Sequence, residues 1–305
     1  MKRLALSLAL ALFCCGLNAQ DQALVFTRTP MNPVSASLAG ADATLSENIS
    51  WSAFGNAAAM AFHEGSMDAS LSYTMWAPAS LRTDRFGIGA AYHGKGLFSF
   101  ALGGSYGKGP SYEVINDDGA HAGMLDTSDM LLAAGAAVRF SDALSLGANL
   151  LYANESIYVD GGLSGILADV SLFYRTGGLR LSGGISHVGP QVADKDARGY
   201  STPASARFAA GYALGLSEGH AIDFLGNADV FFNGGVGASA ALQYSLRGML
   251  FLRGGFHYGD KNSPLPSCLT LGAGAKVGGI RIDAAWITAN KVIGNTFSFS
   301  LGYGF

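Results

Sequence analysis

The chain has 305 residues, 49% of them hydrophobic and only 13% charged, with a formal net charge of −3. That balance gives no footing to a nucleic-acid partner, which calls for a basic face. Beyond the N-terminus no apolar run approaches the ~18 residues of a membrane-spanning helix. Gly nevertheless accounts for 43 of 305 residues, roughly twice ordinary usage, which points to a β-structure solvated by lipid on one side.

In chain order, Met1-Lys2-Arg3 and the apolar stretch 4–13 read as the n- and h-regions of a signal peptide over 1–19. Leu17-Asn18-Ala19 before Gln20 is the expected cleavage site. Removal takes Cys14 and Cys15 with it and leaves Cys268, so no intrachain disulfide is expected. Residues 20–66 lack strand alternation. Ser46 or Asn48 is placed to cap a short helix, and 57–61 is a good helix former. This segment is expected to fold inside a barrel as a hatch, the alternative being a periplasmic N-terminal extension.

From residue 67 onward, alternation and turn residues together predict fourteen strands. They span 67–76, 85–93, 96–106, 129–140, 143–153, 167–176, 179–187, 204–215, 220–232, 235–246, 249–258, 267–277, 280–288 and 295–305. The last is the cleanest. Phe297, Phe299, Leu301, Tyr303 and Phe305 share one face, and Thr296, Ser298, Ser300, Gly302 and Gly304 share the other. Connections after even-numbered strands are tight, while 107–128, 154–166 and 188–203 are long. Short periplasmic turns and long outer loops mark outer-membrane barrels. The tight Asn233-Gly234 turn is the exception. The fold class that follows is all-β: a closed transmembrane antiparallel barrel of about fourteen strands in the outer membrane of a Gram-negative cell, with an N-terminal hatch in its lumen.

The inward faces are expected to carry Arg85, Arg139, Asp169, Arg175, Arg180, Arg207, Asp223, Asp229, Arg253, Arg281 and Asp283, with His93, His257 and Lys276. Mixed signs fit charges that pair across the lumen or hold the hatch better than a selective pore. Inward Gly87, Gly89, Gly103, Gly135, Gly147, Gly211 and Gly272 leave room for an occupant. Leu131, Leu151, Phe173 and Met249 either line an apolar pocket or pack the hatch. In the outer loop 107–128, Tyr112, Val114 and Ile115 among polar residues suit a partner surface, or else a solvated loop. His121 with Asp117, Asp118 and Asp126 lacks a serine in a nucleophile context. His93 and His257 are not spaced as metal ligands. The expectation is a protein that is not an enzyme, with no catalytic residues, cofactor or metal.

Two stretches carry a family resemblance. Residues 33–44 read Pro-Val-Ser-Ala-Ser-Leu-Ala-Gly-Ala-Asp-Ala-Thr, and 50–61 read Ser-Trp-Ser-Ala-Phe-Gly-Asn-Ala-Ala-Ala-Met-Ala. They resemble the N-terminal signature of the PorV/PorQ family, within the wider FadL-like outer-membrane barrels of Bacteroidetes. That signature is an "ALGGA" stretch, a polar gap and an "NPA" helix start, and it maps onto Gly40, Asn56, Ala57 and Ala58. Ala39 stands in place of the first Gly and Ala57 in place of the Pro. The resemblance implies a fourteen-stranded barrel with an N-terminal hatch. It also implies a binding or shuttle role in type IX protein secretion or surface attachment, with outer-membrane lipid, secreted cargo proteins and secretion components as partners. FadL-like relatives instead imply transport of fatty acids or other hydrophobic small molecules.

Overall fold

The computed structural model describes residues 22–77, 82–94, 96–158, 161–194, 198–288, 291 and 294–305. The expected signal peptide lies outside them. The sheet is a closed antiparallel barrel of fourteen strands in an outer membrane. In chain order these are β1 (Met67–Trp76), β2 (Thr83–His93), β3 (Phe98–Ile115), β4 (His121–Arg139), β5 (Leu144–Tyr158), β6 (Gly161–Thr176) and β7 (Leu179–Val188). A separate two-stranded ribbon follows, β8 (Val192–Ala193) with β9 (Gly199–Tyr200). The barrel resumes with β10 (Ser205–Ser217), β11 (His220–Phe231), β12 (Val236–Leu246), β13 (Leu250–Gly259), β14 (Cys268–Val277), β15 (Ile280–Thr288) and β16 (Thr296–Gly304).

Each barrel strand pairs with the barrel strands before and after it. β16 returns to β1 in a register running from Asp68 opposite Gly304 to Met75 opposite Phe297. Closure matters because an unpaired backbone group in hydrocarbon costs several kcal/mol. The alternation in β16 is realised physically: Thr296, Ser298, Ser300 and Gly302 are buried while Phe299, Leu301 and Tyr303 are exposed. The same holds around the wall, where Leu71, Phe86, Leu102, Leu150, Phe208 and Ile282 form an exposed apolar belt. Tight turns such as Gly177-Gly178 and Gly278-Gly279 use left-handed glycines and mark the periplasmic end. Ser66 N and Met67 N both donate to Phe305 O there, at 2.7 and 2.9 Å.

The outer ends differ from expectation. Residues 107–128 are not a loop: β3 and β4 continue to a turn at 116–120, pairing Tyr112 with Leu125 and Val114 with Gly123. Tyr112, Val114 and Ile115 therefore stand on a strand. The reason is that period-two alternation disappears where both faces meet water, although ladder bonds persist. A register shift between Lys108 and Ser111 spans Pro110, which has no N–H to donate. β5 and β6 likewise extend through most of 154–166.

The N-terminal segment runs through the lumen. Gln22 bridges to Ser201 at the outer end, and the chain leaves the interior at 63–66 to begin β1 at the periplasmic end. In between lie a single turn of 3₁₀-helix (Val25–Arg28), a short α-helix (Pro33–Ser37) and two 3₁₀-helices (Ile49–Phe54 and Ala57–Phe62). Asn32 Oδ1 caps the α-helix by accepting from Ser35 N at 3.0 Å. Asn56 Oδ1 does the same for Ala58 N at 3.0 Å. Neither Ser46 nor Asn48 acts as a cap; Asn48 Oδ1 accepts from the Arg281 guanidinium instead. The 57–61 stretch is 3₁₀ rather than α, within Ala57–Phe62.

Candidate functional site

The inward face of the barrel supplies hydrogen-bond donors to the carbonyls of this plug. Ser72 Oγ donates to Met31 O at 2.9 Å, Thr270 Oγ1 to Ser37 O at 2.8 Å and Ser239 Oγ to Ala39 O at 2.7 Å. Asn149 Nδ2 donates to Ser52 O (3.2 Å) and Gly55 O (2.7 Å), and Ser145 Oγ to Ala58 O at 2.7 Å. The small strand residues thus satisfy backbone groups that short irregular turns leave open. Close approach also needs missing side chains. A Cβ on Gly147 would land on the Ala57–Ala58 backbone, and one on Gly89 would land on the Ser50 carbonyl.

Among the motif residues, Gly40 follows Ala39 in the left-handed region, at φ of +80° and +54°. Asn56 Nδ2 reaches Ala43 O at 2.7 Å and Ser182 Oγ at 2.9 Å, tying two parts of the plug to β7. Ala57 and Ala58 are fully buried. They belong to an apolar cluster with Met60, Leu131, Leu151 and Phe173. The Phe62 and Phe173 rings lie 5.4 Å apart. Leu131, Leu151 and Phe173 therefore pack the plug rather than line an open pocket. Met249 does not face inward: it sits in the β12–β13 turn, 44% exposed. Left-handed Arg247 and Gly248 reverse the chain there, so the strand begins at Leu250, one residue later than alternation places it.

The lumen charges fall into two sets. Toward the periplasm, Arg253 Nη1 donates to Asp283 Oδ1 at 2.6 Å and Arg253 Nε to Gln243 Oε1 at 2.7 Å. Arg281 Nη2 donates to Asp68 Oδ1 at 3.0 Å, and Arg281 Nε lies 3.5 Å from Asp283 Oδ2. Arg180 pairs with Asp223. Gln243 Nε2 reaches Glu47 Oε2 of the plug at 3.4 Å. Burial pushes the Glu47 carboxyl up, reinforced by the negative Asp223. Arg139 and Arg175 lie over the Phe62 ring, at 5.1 and 4.3 Å from its centroid, at the periplasmic mouth. Arg139 also pairs with exposed Asp142 at 2.6 Å.

Toward the outside, Arg85 holds Asp129 at 2.8 Å and donates to Thr29 Oγ1 at 2.5 Å. Arg207 Nε donates to Asp229 Oδ1 at 2.9 Å. Asp169 Oδ1 accepts from His187 N at 2.6 Å. Arg28, which sequence reasoning missed, is clamped by Pro203 O, Ser186 and Ser205 and lies 3.7 Å from Asp229. Burial lowers the Arg28 pKa to about 10, with Arg207 adding to the effect. It still stays charged at neutral pH. No periodic signal marks a lone arginine in an irregular segment. His187 escaped notice because β7 bulges: Ser186 and His187 are both buried in succession, with His187 at φ +58°.

Between the plug and the outer half of the wall lies a cavity of about 120 Å³. Arg28, His187, Arg207, Asn227, Asp229 and His257 line one side, and Trp76, Leu265, Cys268 and Ile287 the other. Asp42 borders it from the plug, its carboxyl pushed up by burial and held partly in check by the Ser35 hydroxyl. His257 and His93 are each bonded to a serine hydroxyl, Ser239 at 2.9 Å and Ser99 at 2.8 Å, and lie in different halves of the barrel. A larger recess of about 460 Å³ opens at the periplasmic mouth, lined by Glu47, Phe62, His63, Arg175, Arg180 and Lys276 among others.

The outer hairpin stands apart from both cavities. Beyond Lys108 and Ser128, β3 and β4 pair only with each other, and Tyr112, Ile115 and Met124 are exposed on them. His121 lies 3.1 Å from Glu113 rather than against Asp117, Asp118 or Asp126; Asp126 accepts from Ser111.

No protein-family model matches the chain, and no curated protein is similar to it in sequence. Solved structures do share its fold. The toluene transporter TbuX of Ralstonia pickettii superposes with a TM-score of 0.54 at 16% identity, covering 90% of this chain and 97% of its own. The toluene transporter TodX of Pseudomonas putida gives 0.58 at 12%, covering 88% and 95%. A FadL homologue of Pseudomonas aeruginosa gives 0.56 at 12%, covering 91% and 99%. At these identities the likeness establishes a FadL-like outer-membrane barrel fold.

Proposed function

We propose that this barrel passes small hydrophobic molecules across the outer membrane, through a lumen occluded by its own N-terminal segment. The observation that carries the reading is the cavity between the plug and the outer wall, half lined by Trp76, Leu265, Cys268 and Ile287. It sits where a solute arriving from outside first meets the plug. The architecture supports the reading, since TbuX and TodX, which share it end to end, are toluene transporters. No group in the lumen is assigned chemistry on the solute; the chain binds, orients and releases.

Passage requires the plug to yield. Ser50 Oγ on the plug lies 2.9 Å from Ser70 Oγ on β1. The double variant Ser50→Cys with Ser70→Cys, in a Cys268→Ser background, places two thiols together. Uptake of labelled toluene by cells should fall at least tenfold on oxidation and recover with reductant. Equal uptake by cells with and without the gene would remove transport of this solute class altogether.

A second reading has its own observation. The β3–β4 hairpin projects past its neighbours with unpaired edges, a surface to which a partner strand can add. Together with the PorV/PorQ-like stretches at 33–44 and 50–61, it supports a binding or shuttle role in type IX secretion or surface attachment. Deleting 111–126 tests it. Loss of co-purifying secretion components, with solute uptake intact, favours the shuttle; loss of uptake alone favours the transporter.

A further inference from the structure

The outer cavity has two distinct arcs, ordered by strand pairing. Arg207 on β10 stands opposite Asp229 on β11, Asn227 on β11 opposite Ser239 on β12, Ser239 opposite His257 on β13, and His257 opposite Cys268 on β14. Up to His257 every one of these residues is polar. From Cys268 the wall is mainly apolar, continuing to Ile287 on β15 and Trp76 on β1, and the one hydroxyl there, Thr270, is already bonded to Ser37 O. Cys268, Ile287 and Trp76 with Ala36 of the plug and Ala285 form one hydrophobic cluster. A solute in this space touches hydrogen-bonding groups on one side and hydrocarbon on the other.

The polar arc is not self-satisfied. Asn227 is nine-tenths buried and borders the cavity. Its Nδ2 donates to Asp229 Oδ2 at 2.8 Å, and its Oδ1 has no partner. The amide orientation is fixed by that contact, because the flipped form would set an oxygen against a carboxylate. Trp51 of the plug, also buried and bordering the cavity, has its Nε1–H without an acceptor. The benzo edge of its indole faces Gly87 and Gly89 of β2, so the pyrrole edge points away from that wall. Buried polar atoms are normally paired, and such vacancies call for an occupant.

The size narrows the choice. The ~120 Å³ space is on the scale of the engineered void, ~150 Å³, that takes up benzene. We infer that the outer cavity is a binding site for a single-ring molecule bearing a hydroxyl, a phenol rather than a plain aromatic hydrocarbon. The ring lies against Trp76 and Ile287, the hydroxyl hydrogen is accepted by Asn227 Oδ1, and the hydroxyl oxygen is available to Trp51 Nε1–H. A methyl in place of the hydroxyl fits the same volume but leaves both groups desolvated and unpaired, the situation in which a site discriminates strongly. The inference rests on the transport reading for its physiological sense, and names the solute class.

The test uses the full chain in detergent and ¹⁹F NMR titration with 4-fluorophenol and 4-fluorotoluene, which differ only by hydroxyl for methyl. Partition into protein-free micelles is subtracted. 4-Fluorophenol should bind about tenfold more tightly. Asn227→Leu should bring the two ligands to within about twofold of each other by weakening the phenol alone. Trp51→Phe, which removes only the indole N–H and its ring, should cut phenol binding several-fold and serves where Asn227→Leu does not fold. Equal affinities in the unaltered protein, or a preference that survives in both variants, overturn the inference. Toluene uptake measured in parallel separates the two readings. Uptake with equal affinities leaves transport standing and sinks the phenol site; selective phenol binding without uptake does the reverse.

Discussion

The two halves of the lumen hold the same kinds of side chain in different states. In the periplasmic half, Arg253, Asp283, Arg281 and Asp68 form a continuous ladder that reaches the plug at Asn48 and, through Gln243, at Glu47. In the outer half, Arg28, Arg207 and Asp229 form a comparable cluster, but Asn227 and Trp51 beside it keep unpartnered atoms around a void. Composition alone does not distinguish them. The periplasmic set is bonded to the plug at Asn48 and Glu47, whereas the outer set borders the cavity beside which Asn227 Oδ1 and Trp51 Nε1 stand without partners.

The sharpest way to break this comparison is Arg281→Ala. It strands Asp68, buried to 1% exposure, and removes the contact to Asn48. Breaking a buried pair from one side costs about 3–5 kcal/mol. Urea unfolding in detergent should show a loss of that order, and proteolysis should reach the plug before the barrel. The matching change in the outer half, Asn227→Leu, should cost less, about 1.5–3 kcal/mol, since it gives up one bond from Nδ2 to the Asp229 carboxylate and none at Oδ1. A comparable loss in both would erase the distinction.

The middle of the plug gives the next effect. Gly147→Ala sets a methyl into the Ala57–Ala58 backbone. Overpacking of this kind costs about 1–3 kcal/mol, and here it should show as faster hydrogen exchange at 57–62 with the strand amides still protected. Smaller, and opposite in sign, is Ala39→Gly. Ala39 holds φ +54°; a left-handed L-residue costs about 1–2 kcal/mol, and the added chain entropy of Gly returns about 0.5–1 of it. The melting temperature should rise slightly, consistent with the Gly that the PorV/PorQ-like pattern carries at this place.

The last prediction concerns pH. Asp42 is a buried acid whose folded pKa is raised, burial being the main cause. Its contribution is therefore fully present below the ordinary carboxyl value of ~3.9 and is lost as pH rises through the higher folded value. Asp42→Asn, which keeps an acceptor for Ser35, should raise thermal stability at pH 8 and make no difference at pH 3. An equal gain at both would show that the carboxyl's charge is not what matters.

How much of this was legible in the sequence follows from range. The strands were, because alternation is a local signal and lipid enforces it: Phe299, Leu301 and Tyr303 meet hydrocarbon whatever their partners are. The signal ended at Gly107, where β3 leaves the membrane and water contacts both faces, so a projecting hairpin read as a loop. The lumen charges were legible as inward-facing, but their partners were not. Arg281 meets Asp68 across 213 positions, and Arg28 meets Ser205 across 177. The outer cavity was invisible for the same reason, its wall being drawn from β1, β7, β10–β15 and the plug. The β7 bulge at His187 broke the one pattern that could have placed that residue.

The plug's course bears on how the molecule is assembled. Its first described residue pairs at the outer end, while its last turn enters β1 at the periplasmic end. β1 is then sealed by β16, the last strand of the barrel in chain order. An N-terminal segment that long is harder to thread through a finished cylinder than to lay down beside an open sheet, which favours a seam that closes after the segment has settled. In that order of events the staves curl around an occupant already laid down, and the contact between the aromatic strand β16 and β1 is the last to form.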